Sequence, residues 1–316
     1  MSLLAIFNPE HDLCLANGNA NYVSPESARL MAAEKAPVMR AIYGDCIAVS
    51  AIWLAAAMVG ELEIDKVVAW GWNATLKRQL VKYGIDEKLL PTDAEIDEIR
   101  RLSHRGYGYG LRNEMFPDEP ENYGVKDVDE IELILGYYGD IVMKAPWSGA
   151  GRGLRWVRDS LSDHDKKWVE KIVLQQGMVM VEPRYEVVQD FALEYWVDNE
   201  GVEFCGYSLF NTANGVYREN EIIGDEEILE RLSKYVEKSR IKEVAGRLTN
   251  GLEKHVARRY KGPLGVDMFI YRRGGKCYIN PMVEMNFRHT MGHVAVAISK
   301  GDKPMCRVLE RYYKRK

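Results

Sequence analysis

The chain has 316 residues, of which 47% are hydrophobic, and a formal net charge of −4. This charge balance lacks the clustered basic excess of a general nucleic-acid binder, so we expect no nucleic-acid partner. The five cysteines are odd in number and widely scattered, which predicts neither a zinc knuckle nor a disulfide framework. The length is enough for two or three compact units.

Two features bear on membranes and targeting. The longest apolar run, residues 48–60, is too short to span a bilayer and is interpreted as a buried helix. The N-terminal stretch MSLLAIFNPEHD soon turns polar and does not have the basic-then-apolar order of a signal peptide. We therefore expect a cytoplasmic protein with no membrane partner.

The N-terminal part of the chain alternates short apolar runs with helical patterns. Strands are predicted at residues 3–8, in the stretch CIAVS and at 66–70, and this alternation favours a parallel α/β unit. The helices between and after them carry recognisable start signals. These signals are Ser24 as N-cap with Pro25 as first helical residue, Asn73, and Thr92 paired with Glu95 in a capping box.

Residues 106–128 are dominated by glycine, proline and charge, and we predict an irregular segment here that contains the first domain boundary. Beyond it a small α+β unit is expected. Its elements are a helix at 128–138, strands at 140–144, 154–158 and 178–182, and a helix capped by Ser162.

From Val188 onward the hydrophobic period changes to two, which predicts half-buried antiparallel strands. A charged helical region covers 225–259. Two further strands follow, separated by the glycine-rich turn RRGGK, and a last helix is expected to begin near Gly292.

The stretch VMKAPWSGAGRGLRWV, residues 142–157, holds glycines at every second position. The spacing matches neither a P-loop nor a dinucleotide-binding fingerprint. It predicts a flexible flap between two strands that can lay backbone N–H groups on phosphate oxygens, with Lys144 and Arg152 adding positive charge. For the loop alone, a glycine-rich hairpin without a ligand is an equally good interpretation.

A second polar constellation lies in the final pair of strands. Glu284 and Asn286 are two residues apart and share a face of one strand, and the short turn brings Asp267 opposite them. Carboxylate and amide oxygens are hard ligands, suited to a Mg²⁺ that also holds phosphates. Ordinary surface acids are the alternative, but both acids stand in apolar runs, where an unpaired buried carboxylate is costly.

The order of these features resembles the ATP-grasp superfamily, which includes D-alanine–D-alanine ligase, biotin carboxylase and carbamoyl phosphate synthetase. The resemblance covers roughly residues 105–300 and rests on the Asp…Glu-x-Asn pattern after GPLGVD and on the lysine–glycine flap. It implies an ATP-grasp fold, mixing α/β and α+β, with an N-terminal Rossmann-like α/β domain. The implied domains are 1–110, a small lid subdomain at 111–185 that carries the flap, and a large subdomain at 186–316 with the metal site.

The resemblance also implies roles for individual residues. Lys144 would contact the ATP phosphates and Arg105 would replace the usual earlier lysine. Glu182, with the backbone through Arg184, would read the adenine edge, and Asp190 would bind the ribose, with Glu186 or Glu194 as alternatives. The flap that would close over the β- and γ-phosphates consists of Ser148, Gly149, Gly151, Arg152 and Gly153.

The implied chemistry is ATP-dependent, ADP-forming ligation of a small carboxylate to an amine through an acyl phosphate. Asp267, Glu284 and Asn286 would hold one or two Mg²⁺, with Mn²⁺ as an alternative, and Arg288 would act with Lys144 in catalysis by stabilising the acyl phosphate or tetrahedral intermediate. A kinase or phosphotransferase, and an inactive nucleotide-binding regulatory protein, are the alternatives. The resemblance leaves open whether the protein forms a homodimer.

Other polar features have weaker interpretations. His289 and His293 have the H-x-x-x-H spacing of a zinc site, but that motif needs a helix spanning both residues, which Gly292 disfavours. The polar loop at 7–25, with Asn8, Glu10, His11 and Asp12, could face an acceptor substrate, as could the segment 210–220 with Arg218. A capped surface loop explains the first of these segments equally well.

Overall fold

The computed structural model of the chain describes residues 2–56, 63–120, 122–149, 153–213, 215–301, 303–307 and 309. Within these ranges the chain folds into three β-sheets, with helices between and around them. No helix of the described ranges combines the length and the apolar character that crossing a membrane requires.

The first sheet is parallel with the strand order β2–β1–β3, as the N-terminal alternation predicts. Its central strand β1 is buried along its whole length, which is typical of parallel strands covered by helices. The elements of this part are β1 Leu3–Ile6, α1 His11–Asn17, α2 Glu26–Lys35, α3 Met39–Tyr43, β2 Ile47–Val49, α4 Ala51–Ala56, β3 Lys66–Ala69, α5 Ala74–Lys82 and α6 Asp93–Leu102.

The helix start signals are confirmed for α5 and α6. Asn73 accepts a hydrogen bond from the backbone N–H of Leu76 at 2.9 Å, and Thr92 forms both bonds of its capping box. The Ser24 cap is wrong, because the extended Pro25 is itself the N-cap of α2. The predicted buried helix at 48–60 is wrong at its start, because residues 48 and 49 belong to β2 and α4 begins at Ala51. Ile52 of α4 is exposed, and residues 57–62 lie outside the described ranges.

The second sheet is antiparallel with the strand order β4–β7–β5–β6. The predicted strands and helices of this part are confirmed to within about one residue, including the Ser162 capping box. The elements are β4 Tyr123–Val125, α8 Val128–Tyr138, β5 Asp140–Lys144, β6 Leu154–Arg158, α9 Asp163–Gln176 and β7 Val179–Pro183.

The third sheet is antiparallel with the strand order β10–β9–β8–β11–β12, which confirms the change of period at Val188. Helices pack on one face of it and complete the largest cluster of buried apolar side chains. The elements are β8 Glu186–Asp198, β9 Gly201–Ala213, β10 Val216–Asn220, α10 Asp225–Leu232, α11 Lys238–His255, β11 Gly262–Arg273, β12 Lys276–Asn286 and α12 Met291–Lys300.

The irregular segment predicted at 106–128 is wrong for its first half, which is helix α7, Arg105–Met115. The side chain of His104 caps this helix by accepting from the N–H of Gly106 at 2.9 Å. Three glycines lower the intrinsic helix propensity, but buried Leu111 and Met115 join the core of the third sheet and outweigh it. The boundary expected at residue 110 therefore falls inside a helix, and the division into three domains stays a prediction.

His289 links the third sheet to the first, and a second buried histidine, His11, lies within the part built on the first sheet. His289, which follows β12, donates its backbone N–H to the carbonyl of Trp70 at 2.7 Å, and its Nε2 hydrogen-bonds the hydroxyl of Tyr43 at 2.8 Å. His11, at the start of α1, lies against the amide of Asn73 at 3.2 Å. Burial lowers the pKa of His11 to about 4 and that of His289 well below its usual value.

Two glycines of α11 offer a matched pair of substitutions. A Cβ at Gly251 would lie 1.8 Å from Sδ of buried Met115 on α7, whereas one at Gly246 meets nothing within 4 Å. We expect Gly246→Ala to raise the free energy of unfolding by about 0.5–1 kcal/mol through helix propensity. We expect Gly251→Ala to lower it by about 1 kcal/mol or more through overpacking. Urea denaturation of both variants measures the contrast, and equal stabilisation by both would contradict the close contact of α7 with α11.

The buried histidines predict a pH dependence of stability. Because His11 titrates at about 4 in the native state and at about 6.5 when unfolded, the unfolded chain binds the extra proton between these values. Stability from this group is therefore lost as pH falls through that window, by about 1.4 kcal/mol per pH unit. Urea denaturation across pH should show a shallower slope for His11→Gln than for the native chain. The exposed His164→Gln should leave the slope unchanged, and an unchanged slope in both variants would rule out the buried, neutral His11.

Candidate active site

The hairpin of β11 and β12 brings the three predicted metal ligands together. Asp267 and Glu284 are direct partners in the antiparallel register, and Asn286 donates from Nδ2 to Oδ2 of Asp267 at 3.0 Å. Burial raises the pKa of Asp267 to about 8, with further increments from Glu284 and from Glu194. Negative charge is therefore concentrated at this site, and a bound cation would reduce the electrostatic repulsion between the carboxylates.

The donor set of this hairpin fits a hard divalent cation. It offers two carboxylates and one amide, all with oxygen atoms of the kind that Mg²⁺ prefers. Among the described residues no cluster of three or more His, Cys, Asp or Glu side chains is arranged to hold a metal ion, and this set contains only two such side chains. The assignment of these residues as metal ligands stays a prediction.

Arg105, the first residue of α7, connects the hairpin to the segment that leads into the flap. Its Nη2 lies 2.8 Å from Oε1 of Glu284 and 3.0 Å from the carbonyl of Ser148. Its Nη1 donates to the carbonyl of Ala145 at 2.7 Å and to Oγ of Ser148 at 2.6 Å. The guanidinium is buried, and its role as a replacement for the earlier lysine stays a prediction.

Lys144 ends β5 and forms a buried ion pair with Glu182 on β7. The hydroxyl of Tyr109 also donates to this carboxylate, at 3.1 Å from Oε2. The side chain of Glu182 is therefore engaged with Lys144 and Tyr109, and the backbone from here to Arg184 is what remains for an adenine edge. Arg184 itself lies 3.4 Å from Oδ2 of Asp140.

Asp190 on β8 lies at the wall of a cavity and accepts a hydrogen bond from the hydroxyl of Thr212 at 2.7 Å, and its role as a ribose ligand stays a prediction. Its two alternatives are placed differently. Glu186 is exposed and lies 3.1 Å from Arg272. Glu194 is fully buried and accepts hydrogen bonds from Ser208 and Thr290. Of the three carboxylates, only Asp190 is among the described residues that line this cavity.

Arg288 follows β12 and is held by a carboxylate from the far end of the chain. Its Nε and Nη2 donate to the two oxygens of Asp12 on α1, at 3.1 and 3.0 Å. Gly149 of the flap lies against the same carboxylate, because a Cβ there would be 2.0 Å from Oδ2 of Asp12. The polar segment 7–25, predicted as a loop, thus contains helix α1, and its Asp12 contacts Arg288 at the site.

The flap is described in part. The structure describes its two ends, Ser148–Gly149 and Gly153. Gly153, with φ +72°, accepts at its carbonyl from the N–H of Ala145 at 2.9 Å. The predicted contributions of Gly151 and Arg152 lie outside the described residues.

Two weaker hypotheses can be compared with the geometry. Helix α12 begins after Thr290, so no helix spans His289 and His293, and both ring nitrogens of His293 have other partners in Glu194 and the carbonyl of Tyr195. This arrangement does not favour zinc. Arg218 is exposed on β10 and is not among the described residues that line a cavity at the site.

A cavity of about 590 Å³ opens between the second and third sheets and joins these groups. A smaller one of about 240 Å³ shares Asp267 and Glu284 with it and extends to Arg288 and Glu194. Polar side chains of the larger cavity come from both sheets and from α7. They are Arg105, Lys144, Glu182, Arg184, Asp190, Thr212, Asp267 and Glu284.

Tyr109 is the contact that sequence reasoning missed. It lies four residues after Arg105, so the two share a face once α7 is known to be a helix. The glycines on either side of Tyr109 disfavour helix formation, so the sequence pattern did not predict α7. The ion pair of Asp12 with Arg288 could not be predicted from local sequence patterns, because 276 positions separate the two residues.

Comparisons with protein-family models and with curated proteins found no match. Solved structures, in contrast, match over nearly the whole chain. N5-carboxyaminoimidazole synthetase from Staphylococcus aureus, complexed with ADP, is 14% identical with a TM-score of 0.53, and the match covers 94% of this chain and 76% of that one. Biotin carboxylase from Campylobacter jejuni, in a β,γ-ATP complex, is 14% identical with a TM-score of 0.54, over 98% and 70%.

A third similar structure is the biotin carboxylase domain dimer of Hydrogenobacter thermophilus 2-oxoglutarate carboxylase, in complex with MgADP, ADP and bicarbonate. It is 13% identical with a TM-score of 0.51, over 95% of this chain and 70% of that one. These are ATP-grasp enzymes, and at identities this low the similarity shows only that the folds are alike. The chain has the ATP-grasp fold.

Proposed function

We propose that this protein is an ATP- and Mg²⁺-dependent ligase that joins a carboxylate to an amine through an acyl phosphate, releasing ADP and phosphate. The observation that carries the proposal is the Asp267–Glu284–Asn286 set at the junction of two cavities, one reaching Lys144 and the other Arg288. Similar structures complexed with ADP or MgADP support a nucleotide in the larger cavity.

The nucleotide would lie between the second and third sheets. The backbone at Glu182–Arg184 would face the base, and Asp190 with Thr212 would bind the ribose hydroxyls. Arg105 and Lys144 supply positive charge at the inner end, where phosphates would lie. We further propose that the second sheet and its helices, residues 123–183, act as a lid, with the flap closing over the phosphates and excluding water from the acyl phosphate.

Asp267, Glu284 and Asn286 would hold the cation. When bound, Mg²⁺ supplies positive charge that offsets the phosphate oxygens and orients them. Before binding, the same carboxylates are stabilised by this chain's own groups, since Arg105 pairs with Glu284 and Asn286 donates to Asp267.

Two steps account for the reaction. A carboxylate oxygen of the acid attacks the γ-phosphorus, which forms a new O–P bond, breaks the bond to the β–γ bridging oxygen and releases ADP. The amine nitrogen then attacks the acyl carbon, forms the C–N bond and expels phosphate, while the surplus amine proton passes to solvent or to the departing phosphate. Lys144 and Arg288 would offset the charge on the transferring group, which is most of what phosphoryl transfer requires.

The products discriminate this proposal from its alternatives. With Mg·ATP and a screen of small acids and amines, we expect ADP and free phosphate to appear together only when both co-substrates are present. Coupled assays of ADP and of phosphate measure this. ADP without free phosphate would indicate a kinase. No product, but a melting temperature raised by Mg·ATP, would indicate a nucleotide-binding protein without turnover.

The metal set can be tested by two isosteric substitutions. We expect Asp267→Asn and Glu284→Gln each to lower turnover by about 100-fold or more, because removing one well-placed electrostatic contributor typically costs that much. The exposed Glu170→Gln on α9 is the matched control and should retain full turnover. Turnover that survives in Asp267→Asn and Glu284→Gln would show that the metal set is wrongly assigned.

A further inference from the structure

A separate cavity of about 220 Å³ lies at the carboxyl edge of the first sheet, between α1, α2, α4 and α5. Ligands of open α/β sheets bind at this edge. None of the described residues that line it lines the two cavities of the candidate active site. Its volume is below the usual range for drug-sized ligands, which favours a smaller molecule.

Two opposite charges face this cavity. Glu10 comes from the residue before α1 and Arg29 from the first half of α2, and both side chains are half-buried. Oε2 of Glu10 and Nε of Arg29 are buried without a hydrogen-bond partner among the described residues. Burial raises the pKa of Glu10, and the nearby charge of Arg29 opposes this shift, so the two charges are close enough to interact. No ion pair among the described residues joins them, and buried polar atoms left without a hydrogen bond cost stability. A ligand that carries one charge of each sign would fit between them.

The rest of the wall is mostly apolar or already engaged. The Asn73 amide oxygen caps α5, and the Thr75 hydroxyl donates to the carbonyl of Asn19 at 3.1 Å. The remaining surface offers apolar packing and a few neutral hydrogen-bonding groups. Its members include Val23, Ala32, Ala51, Ile52 and Leu76, together with Ser24, Ser50 and Gln79.

We propose that this cavity binds the zwitterion of a free α-amino acid with a small apolar side chain. Glu10 would accept hydrogen bonds from the α-ammonium, and Arg29 would donate to the α-carboxylate. The apolar wall at Val23, Ile52 and Leu76 would receive the side chain. A nucleotide or a second phosphate compound would need more than one cation, and Glu10 would repel a dicarboxylate.

This site goes beyond the proposed ligase function and does not depend on it. The amino acid would bind without ATP or Mg²⁺, because Glu10 and Arg29 belong to the first sheet's surroundings and not to the ATP-grasp cavities. Its test can therefore fail or succeed whatever the outcome for the ligase.

The test is isothermal titration of the full chain, free of ATP and Mg²⁺, with the proteinogenic L-amino acids. We expect saturable binding of small apolar members, and none of their N-acetyl or carboxamide derivatives, which lack one charge. Glu10→Gln and Arg29→Met should each weaken binding by about tenfold or more. The exposed Glu34→Gln and Arg78→Met are matched controls and should bind as the native chain does.

Two further measurements distinguish loss of this binding site from loss of the fold and from binding at the active site. The melting-temperature shift with Mg·ATP should be retained in Glu10→Gln and Arg29→Met, which shows that loss of amino-acid binding is not loss of fold. Asp267→Asn should leave amino-acid binding unchanged. The proposal is overturned if no amino acid binds at millimolar concentration, or if binding persists in Glu10→Gln and Arg29→Met. Binding that is lost in Asp267→Asn alone would move the ligand to the active-site cavity and also overturn it.

Discussion

The buried guanidinium of Arg105 is the contact on which the arrangement of the site depends. A charge removed from water is tolerated only when partners surround it, and Arg105 finds these in Glu284 and in oxygens of Ala145 and Ser148. One side chain thereby fixes helix α7, the end of β12 and the entrance to the flap relative to one another. Removing it would leave the repulsion between Glu284 and Asp267 to be offset by Arg288, which is already paired with Asp12.

Two further cations of the site are held in the same way. Lys144 is paired with Glu182 and Arg288 with Asp12, so these two described cations, like Arg105, have a carboxylate partner. Such pairs keep long side chains in place at low entropic cost, which is the preorganisation that electrostatic catalysis requires. They also mean that a phosphate must compete with a carboxylate for each cation. Affinity for the nucleotide is therefore expected to rest on the bound cation and the flap as much as on these side chains.

Sequence patterns predicted the parts of the site that local rules govern. Period-two alternation and a short turn are enough to bring Asp267 opposite Glu284, and the β5–flap–β6 order follows from the glycines after Lys144. Helix α7 could not be predicted, because its glycines oppose helix formation and only burial against the third sheet compensates them. The partner of Arg288 could not be predicted either, since it depends on how the first sheet docks on the third.

The connection from β12 to α12 also helps to set the direction of the Arg288 side chain. Glu194 is fully buried on β8, where burial alone would raise its pKa, but His293, Thr290 and Ser208 outweigh this and lower it. Because Thr290 is also the N-cap of α12, the same carboxylate fixes the start of that helix. The short connection from β12 to α12 is thus anchored at both ends, by the hairpin register and by Glu194. Arg288 lies between these anchors, so its direction is set by this buried network together with its pair to Asp12.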